Sequence, residues 1–302
     1  MMKHFLSLLL LSAVLLLSAD VKIVGTTKSV TAAAKALMQG IPGYQVEVLL
    51  PAISGCPHDY SLTPADMKRL SGAKIVVING GGMEGFLHGV VERVCPGAKI
   101  ADASKGVLPD IKNTPCTNEK HCHHHHHHHN EHILASPQMA GKAIQALSSQ
   151  LRMIFAGKPE VAEKIGKNTV HFYEELNRLH IDYRNFAATV PASKKRILVQ
   201  HSIFDYLAKE AGFEIKGTIF KHDMQEPSAS EAAKLIRQIK KEKIFAIFAE
   251  RGKTSRMTER IARESKIPVI YLDANPANDS PEKFLQMFRQ DLNTLKEAVK
   301  QK

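Results

Sequence analysis

The strongest constraint on this chain is an alternation that runs through it twice. Short β-branched runs at 21–24, 46–50, 75–78 and 99–101 are separated by helical patterns at 29–39, 63–70 and 83–94. The order returns further on, with strands predicted at 197–200, 214–219, 244–248 and 269–272 and helices at 204–211, 230–241 and 256–266. A last helix is predicted from Ser280-Pro281. Strands alternating with helices in this way imply parallel sheets covered on both faces. The chain therefore reads as α/β, with two similar lobes of parallel sheet flanked by helices.

The stretch between the two halves is helical. Ser136-Pro137 opens one helix that runs to about 155, and Gly157-Lys158-Pro159 breaks it. A second pattern follows from 160 to 188 without a proline, and Ile165, Phe172, Leu176, Leu179, Tyr183 and Phe186 recur at three- and four-residue steps. That recurrence is one apolar stripe of an amphipathic helix. About 28 residues of helix span roughly 40 Å, so this segment reads as one long, rigid bridge. The expected organisation is a leader at 1–19, a first lobe at 20–157, a connecting helix at 158–190 and a second lobe at 191–302.

The leader sets the compartment. Lys3 and His4 precede an apolar stretch at 5–17 and the small residues Ser18 and Ala19. This is the pattern of a secretory signal peptide, too short for a membrane span. Asp20 stands where a lipid-bearing cysteine would be, so cleavage is expected to release an exported protein without an anchor or later membrane insertion. Loss of Lys3 lowers the formal charge from +11 to +10. The surplus is spread along amphipathic helices, 234–243 for example, with no Gly/aromatic motif, which speaks against nucleic acid as a partner. The four cysteines, Cys56, Cys95, Cys116 and Cys122, are candidates for disulfides in an oxidising compartment, with three pairings open.

Residues 121–132 read HCHHHHHHHNEH, with nine histidines in twelve residues. Such a run has no apolar period and cannot pack into a core; it reads as a solvated, metal-attracting loop. The run is internal and interrupted by Cys122, unlike an engineered tag. Other ligand-type residues fall where loops leave strands, which is where open parallel sheets bind ligands. His58 follows the strand at 46–50, His201 follows 197–200, Asp273 follows 269–272, and His132 precedes the helix start at Ser136-Pro137. Three imidazoles and a carboxylate suit a four-coordinate zinc ion. His88, His171, His180 and His222 read as ordinary surface or helix-face residues.

The segments PHDYSLTPADMKRLSGAKIVVINGGGME, EHILASPQ, QHSIFDYLAKEAGF, IFAIFAERGKTSR and YLDANP occur in that order over nearly the whole mature chain. In them the chain resembles the ZnuA/TroA-like family of metal-binding proteins that serve ABC importers. The resemblance implies two α/β lobes bridged by the long helix, with one tight zinc site between them. His58 and His132 would come from the first lobe, and His201 and Asp273 from the second. Members that take manganese typically carry Glu at the position matching His201, so histidine there favours zinc. Glu250 would support the site without ligating. The chain departs from the pattern at Pro57, at Asn130-Glu131 where the family has Asp-Pro, and at Ala-Asn-Pro after Asp273.

The expected function is capture of zinc in the periplasm by a monomer and delivery to an inner-membrane ABC permease. The loop at 116–131 would recruit the ion through His121, His123, His124, His125, His126, His127, His128 and His129, forming a weaker second site. Three alternatives accompany this reading. One is a manganese- or iron-uptake protein of the same family. Another is a zinc-dependent exported hydrolase, whose only candidate bases are Glu250 and Asp59 in the absence of an HExxH motif. The last is a metal buffer that uses the loop alone.

Overall fold

The structure is a computed structural model and describes residues 20–51, 57, 60–109, 129–220, 225–253 and 255–301. The leader at 1–19, the loop histidines from 121 to 128, and Cys56, His58, Asp59, Cys116, Cys122 and His222 lie outside the described residues.

Two four-stranded sheets, both wholly parallel, form the frame. The first holds β1 (Val21–Gly25), β2 (Tyr44–Val48), β3 (Ile75–Ile78) and β4 (Lys99–Asp102) in the order β2-β1-β3-β4. The second holds β5 (Arg196–Val199), β6 (Glu214–Thr218), β7 (Ala246–Glu250) and β8 (Val269–Leu272) in the order β6-β5-β7-β8. The two orders are the same, so the repeat read in the sequence is a repeat of topology. In each sheet the order reverses between the first and third strands, and the carboxyl ends flanking that point are where such sheets receive ligands.

The helices are α1 (Lys28–Met38), α2 (Pro64–Leu70), α3 (Val90–Val94), α4 (Pro137–Ile154), α5 (Pro159–Thr189), α6 (Asp205–Glu210), α7 (Ala229–Glu242), α8 (Arg256–Ser265) and α9 (Pro281–Lys300). Alternate strand residues enter different cores. Ile23 and Val77 face a central core while Val24 and Val76 face an outer one under α2 and α3. In the second sheet Ile197, Val199 and Phe248 face the central core, and Leu198 and Ile247 face an outer one under α7 and α8. The central core is continuous between the sheets, running through α1, α4, α5 and α9.

The long helix α5 has 31 residues and is about 46 Å long. Pro159 sits in its first turn, where a missing N–H costs nothing. Val161, Ile165, Phe172, Leu176, Leu179, Tyr183 and Phe186 are its buried stripe, so every position expected to face inward does so. Burying each of these large side chains contributes about 1.5–3 kcal/mol. Lys35 of α1 reaches Asp279 beyond β8 at 2.8 Å, and Lys28 Nζ donates to the Ala277 carbonyl at 3.2 Å. These contacts tie the two halves beside α9.

Some boundaries differ from the sequence expectation. The helix expected at 83–94 is a 3-10 turn at Gly85–Leu87 and then α3, broken at Gly89, which adopts φ +64°. The strand expected at 244–248 starts two residues later. Lys243 ends α7 in the left-handed region, and the Ile244 N–H closes back on the Ile239 carbonyl. The strand expected at 46–50 is β2 at Tyr44–Val48; Leu49 and Leu50 still donate to the Gly25 and Thr26 carbonyls as the chain turns away.

Candidate metal centre

His132 ends the segment that enters the first lobe's last helices. Ile133, Leu134 and Ala135 form a buried 3-10 turn directly after it, and Ser136 caps α4 by accepting from the Met139 N–H at 3.3 Å. The ring is thereby held against the core, and His132 is only 4 % exposed. His201 comes two residues after β5 and opens the 3-10 turn Ser202–Phe204, whose Phe204 is buried. The two rings, one before α4 and the other after β5, meet edge to face with centroids 5.1 Å apart and planes at 89°.

Asn130 organises this meeting. Its Oδ1 accepts from the His132 N–H at 2.9 Å, and its Nδ2 donates to the Ser202 carbonyl at 2.6 Å. A backbone donor on one side and a backbone acceptor on the other fix which amide atom is which. The same Oδ1 lies 2.9 Å from His132 Nδ1, so that nitrogen must carry the proton. In the neutral ring the remaining lone pair then resides on Nε2, the nitrogen left to a metal. The Asn130 carbonyl also accepts from the Tyr206 hydroxyl at 2.7 Å. One residue of the first lobe thus sets the His132 tautomer and grips two residues that flank His201 on the second. His201 Nδ1 accepts a long 3.3 Å contact from the Ile203 N–H.

Asp273 follows β8 directly, as its place in the sequence implies. Its N–H donates to Asp291 Oδ1 at 2.8 Å, and its own Oδ1 accepts from Arg251 Nε at 3.1 Å. Burial pushes the Asp291 carboxyl well above its ordinary range, and its Oδ2 has no hydrogen-bond partner among the described residues. Glu250, at the end of β7, is paired with Lys253 at 2.8 Å; burial pushes it up and the lysine pulls it back. Among the described residues no three His, Cys, Asp or Glu side chains converge closely enough to hold a metal. The structure brings His132 and His201 together and leaves Asp273 in its contact with Arg251.

A second carboxylate shapes the floor of the first lobe. Glu84 is buried, and its Oε1 accepts from the Thr26 hydroxyl at 2.7 Å and from the Asn79 N–H at 2.8 Å, while Oε2 accepts from the Gly80 N–H at 3.0 Å. It therefore ties the loops leaving β1 and β3. Gly80 holds φ +77°, and a Cβ there would strike the Asp102 carboxylate. Asn79 Nδ2 in turn donates at 2.8 Å to the Glu131 carbonyl, the residue before His132. Burial pushes the Glu84 carboxyl up against the three hydrogen bonds that pull it down.

Sequence reasoning passed over Asn130, Glu84 and Asp291, none of which is a metal ligand type in an obvious spacing. Asn130 left one signal: with Glu131 it separates His132 from the histidines at 123–129. Cys95 is buried in the first outer core, and burial pushes its thiol above the ordinary range; its candidate disulfide partners lie outside the described residues.

Two doubly wound lobes that bring one imidazole from each together have the architecture of a two-lobed binding protein with a candidate metal site between its halves. Residues 23–298 match the family described as "ZnuA: Zinc-uptake complex component A periplasmic", and the chain belongs to that family. It is a metal-binding transport protein and not an enzyme, which removes the hydrolase alternative. The chain is 29 % identical over 266 residues to the high-affinity zinc uptake system protein ZnuA of Bacillus subtilis, covering 84 % of this chain and 80 % of that one. It is 23 % identical over 297 residues to the manganese-binding lipoprotein MntA of the same organism, covering 94 % and 92 %. The fold is that of the solute-binding protein FpvC from Pseudomonas aeruginosa, solved with Ni2+: TM-score 0.76 at 23 % identity over 93 % of this chain and 97 % of that one. No helix among the described residues is long and apolar enough to cross a membrane.

Proposed function

We propose that this protein captures zinc outside the cytoplasmic membrane and delivers it to an ABC permease. The leader at 1–19, with Asp20 where a lipidated cysteine would stand, supports release as an unanchored periplasmic protein. The observation that carries the reading is the His132–His201 pair, drawn from the two lobes and held with ring centroids 5.1 Å apart, with the tautomer of His132 set by Asn130. His58 and Asp273 complete the ligand set in this proposal. Two or three imidazoles with one carboxylate suit zinc, whereas manganese favours oxygen donors. The manganese-binding relative keeps that metal as the second reading. Binding through His201 Nε2 places a proton on Nδ1 and gives up the 3.3 Å contact from Ile203, a small loss at that length.

The histidines at 121 and 123–129 act in this proposal as the recruiting segment, raising the local zinc concentration beside the lobes. Since zinc needs unprotonated imidazoles, capture weakens in acid. The continuous core and the bridging helix α5 favour small adjustments on loading over wide closure. Zinc and manganese competition titrations of the wild type, His58→Ala, His201→Ala and a 117–128 deletion test the assignment. The deletion stops at 128 so that Asn130 is retained. The expected result is that both alanine variants lose the tightest site and the deletion keeps it. Loss of that site on deletion alone places it in the loop.

A further inference from the structure

The two candidate ligands from opposite lobes share one structural plan. Each is followed by a single 3-10 turn and then by a helix: His132 by α4, His201 by α6. Those helices meet again away from the rings, at Glu210, the last residue of α6. Its side chain is only 1 % exposed. One oxygen, Oε1, lies 2.7 Å from His180 Nδ1 on α5, so that ring nitrogen carries the proton and donates. The other, Oε2, accepts from the Gln138 N–H in the first turn of α4 at 3.3 Å. The Ser136 hydroxyl, which caps the same turn, also donates to this carboxylate.

A carboxylate is poorly placed at the C-terminal end of its own helix, where the peptide dipoles present partial negative charge. The first turn of α4 supplies the opposite field. A buried charge is tolerated only when hydrogen bonds surround it, and here they come from two other helices, α5 and the first turn of α4. Solubility does not require a charge at this place, and an apolar side chain would avoid the desolvation cost. What the carboxylate adds is direction: α6 can sit in one place only relative to α4 and α5.

We propose that Glu210, with His180 and Ser136, is a clasp between the lobes that fixes the separation of His132 and His201 and so tunes metal affinity. It is a positioning residue, remote from the ion, and the inference rests on the zinc reading given above. Removing the clasp lets α6 and α4 shift independently, and His201 and His132 shift with them.

The test compares wild type, Glu210→Ala, Glu210→Gln and His180→Ala. Zinc affinity is measured by competition with a chromophoric chelator, and Co2+ is used as a spectroscopic probe of ligand geometry. Substitutions that couple without touching a ligand change affinity by about 3- to 30-fold. Glu210→Ala is expected to weaken zinc within that range and to alter the Co2+ visible bands. Glu210→Gln, which keeps an acceptor and the side-chain shape, is expected to restore affinity to within about threefold and to restore the bands. His180→Ala, which removes one of the three donors, should fall between. Wild-type affinity and unchanged Co2+ bands in Glu210→Ala, even with a lower melting temperature, overturn the clasp and leave a merely structural role. If Glu210→Ala does not fold, unchanged affinity and bands in His180→Ala overturn it instead. Wild-type protein without a tight zinc site refutes the underlying reading, whereas tight wild-type binding matched by every variant refutes the clasp alone.

Discussion

Replacing Glu84 by alanine should be among the most damaging single changes outside the apolar core. The side chain satisfies three buried donors, the Thr26 hydroxyl and the N–H groups of Asn79 and Gly80, at 2.7, 2.8 and 3.0 Å. Each buried donor left without an acceptor costs about 1–3 kcal/mol. The sum is reduced because a cavity of about 560 Å³ runs past Gly80, Glu84 and Asp102 and admits water to part of the loop. Loss of a desolvated carboxyl offsets some of the rest. The expected net cost is about 3–5 kcal/mol, read from urea denaturation followed by circular dichroism. The loop should also release the Glu131 carbonyl, so zinc binding weakens in the protein that remains folded. The pH dependence has a definite sign. Folding raises the Glu84 pKa, so the protonated form is favoured in the native state and its stability contribution is fully present below the ordinary carboxylate pKa. That contribution is lost as pH rises through the folded value, and Glu84→Gln should lack this slope. A Glu84→Ala protein within 1 kcal/mol of wild type would refute the reasoning about this network.

Further outcomes follow from neighbouring residues. Asn130→Ala removes the group that sets the His132 tautomer and should cost about 10- to 100-fold in zinc affinity by calorimetric titration; unchanged affinity would show that the amide is dispensable. Asp205 is raised to about 6, chiefly by burial, so its native state favours the protonated form and stability falls as pH climbs from about 4 through 6. At 1.36 kcal/mol per pKa unit the penalty at pH 7 is at most about 3 kcal/mol, and less for a half-buried group. Asp205→Asn should therefore be more stable than wild type at pH 7 by about 1–3 kcal/mol and equal to it near pH 4, measured as urea midpoints across that range; a pH-independent difference would count against this assignment. Tyr183→Phe leaves the Phe288 carbonyl without its 2.9 Å donor and should cost about 1–2 kcal/mol in the same assay.

The parts of the fold that could be read in the sequence are those with a strong period. The six-position apolar stripe of α5 is a local signal, and the structure buries all six and adds Val161. The doubled strand order could be read because inner strands such as Ile75–Ile78 and Ala246–Glu250 are apolar on both faces. Boundaries failed where a single backbone choice decides them, at Gly89 and Lys243. Among the candidate ligands, the places of His201 after β5 and Asp273 after β8 could be read because strand ends are visible in the pattern. Asn130 and Glu84 could not, because their roles depend on bonds between residues far apart: 72 residues from Asn130 to Ser202 and 58 from Thr26 to Glu84. Glu210 lies in an ordinary helical pattern, and only the packing of three helices reveals that it faces inward.

The central claim is that one metal site joins the two lobes and that the histidine run serves it from outside. The most direct measurement is a crystal structure of the full exported chain grown with one equivalent of zinc, with anomalous differences recorded across the zinc edge. A single strong peak is expected beside the His132 and His201 rings, with His58 and the Asp273 carboxylate completing the coordination and Arg251 turned away from Asp273. A strong peak confined to residues 121–129, with the His132–His201 pair unoccupied, would contradict the account.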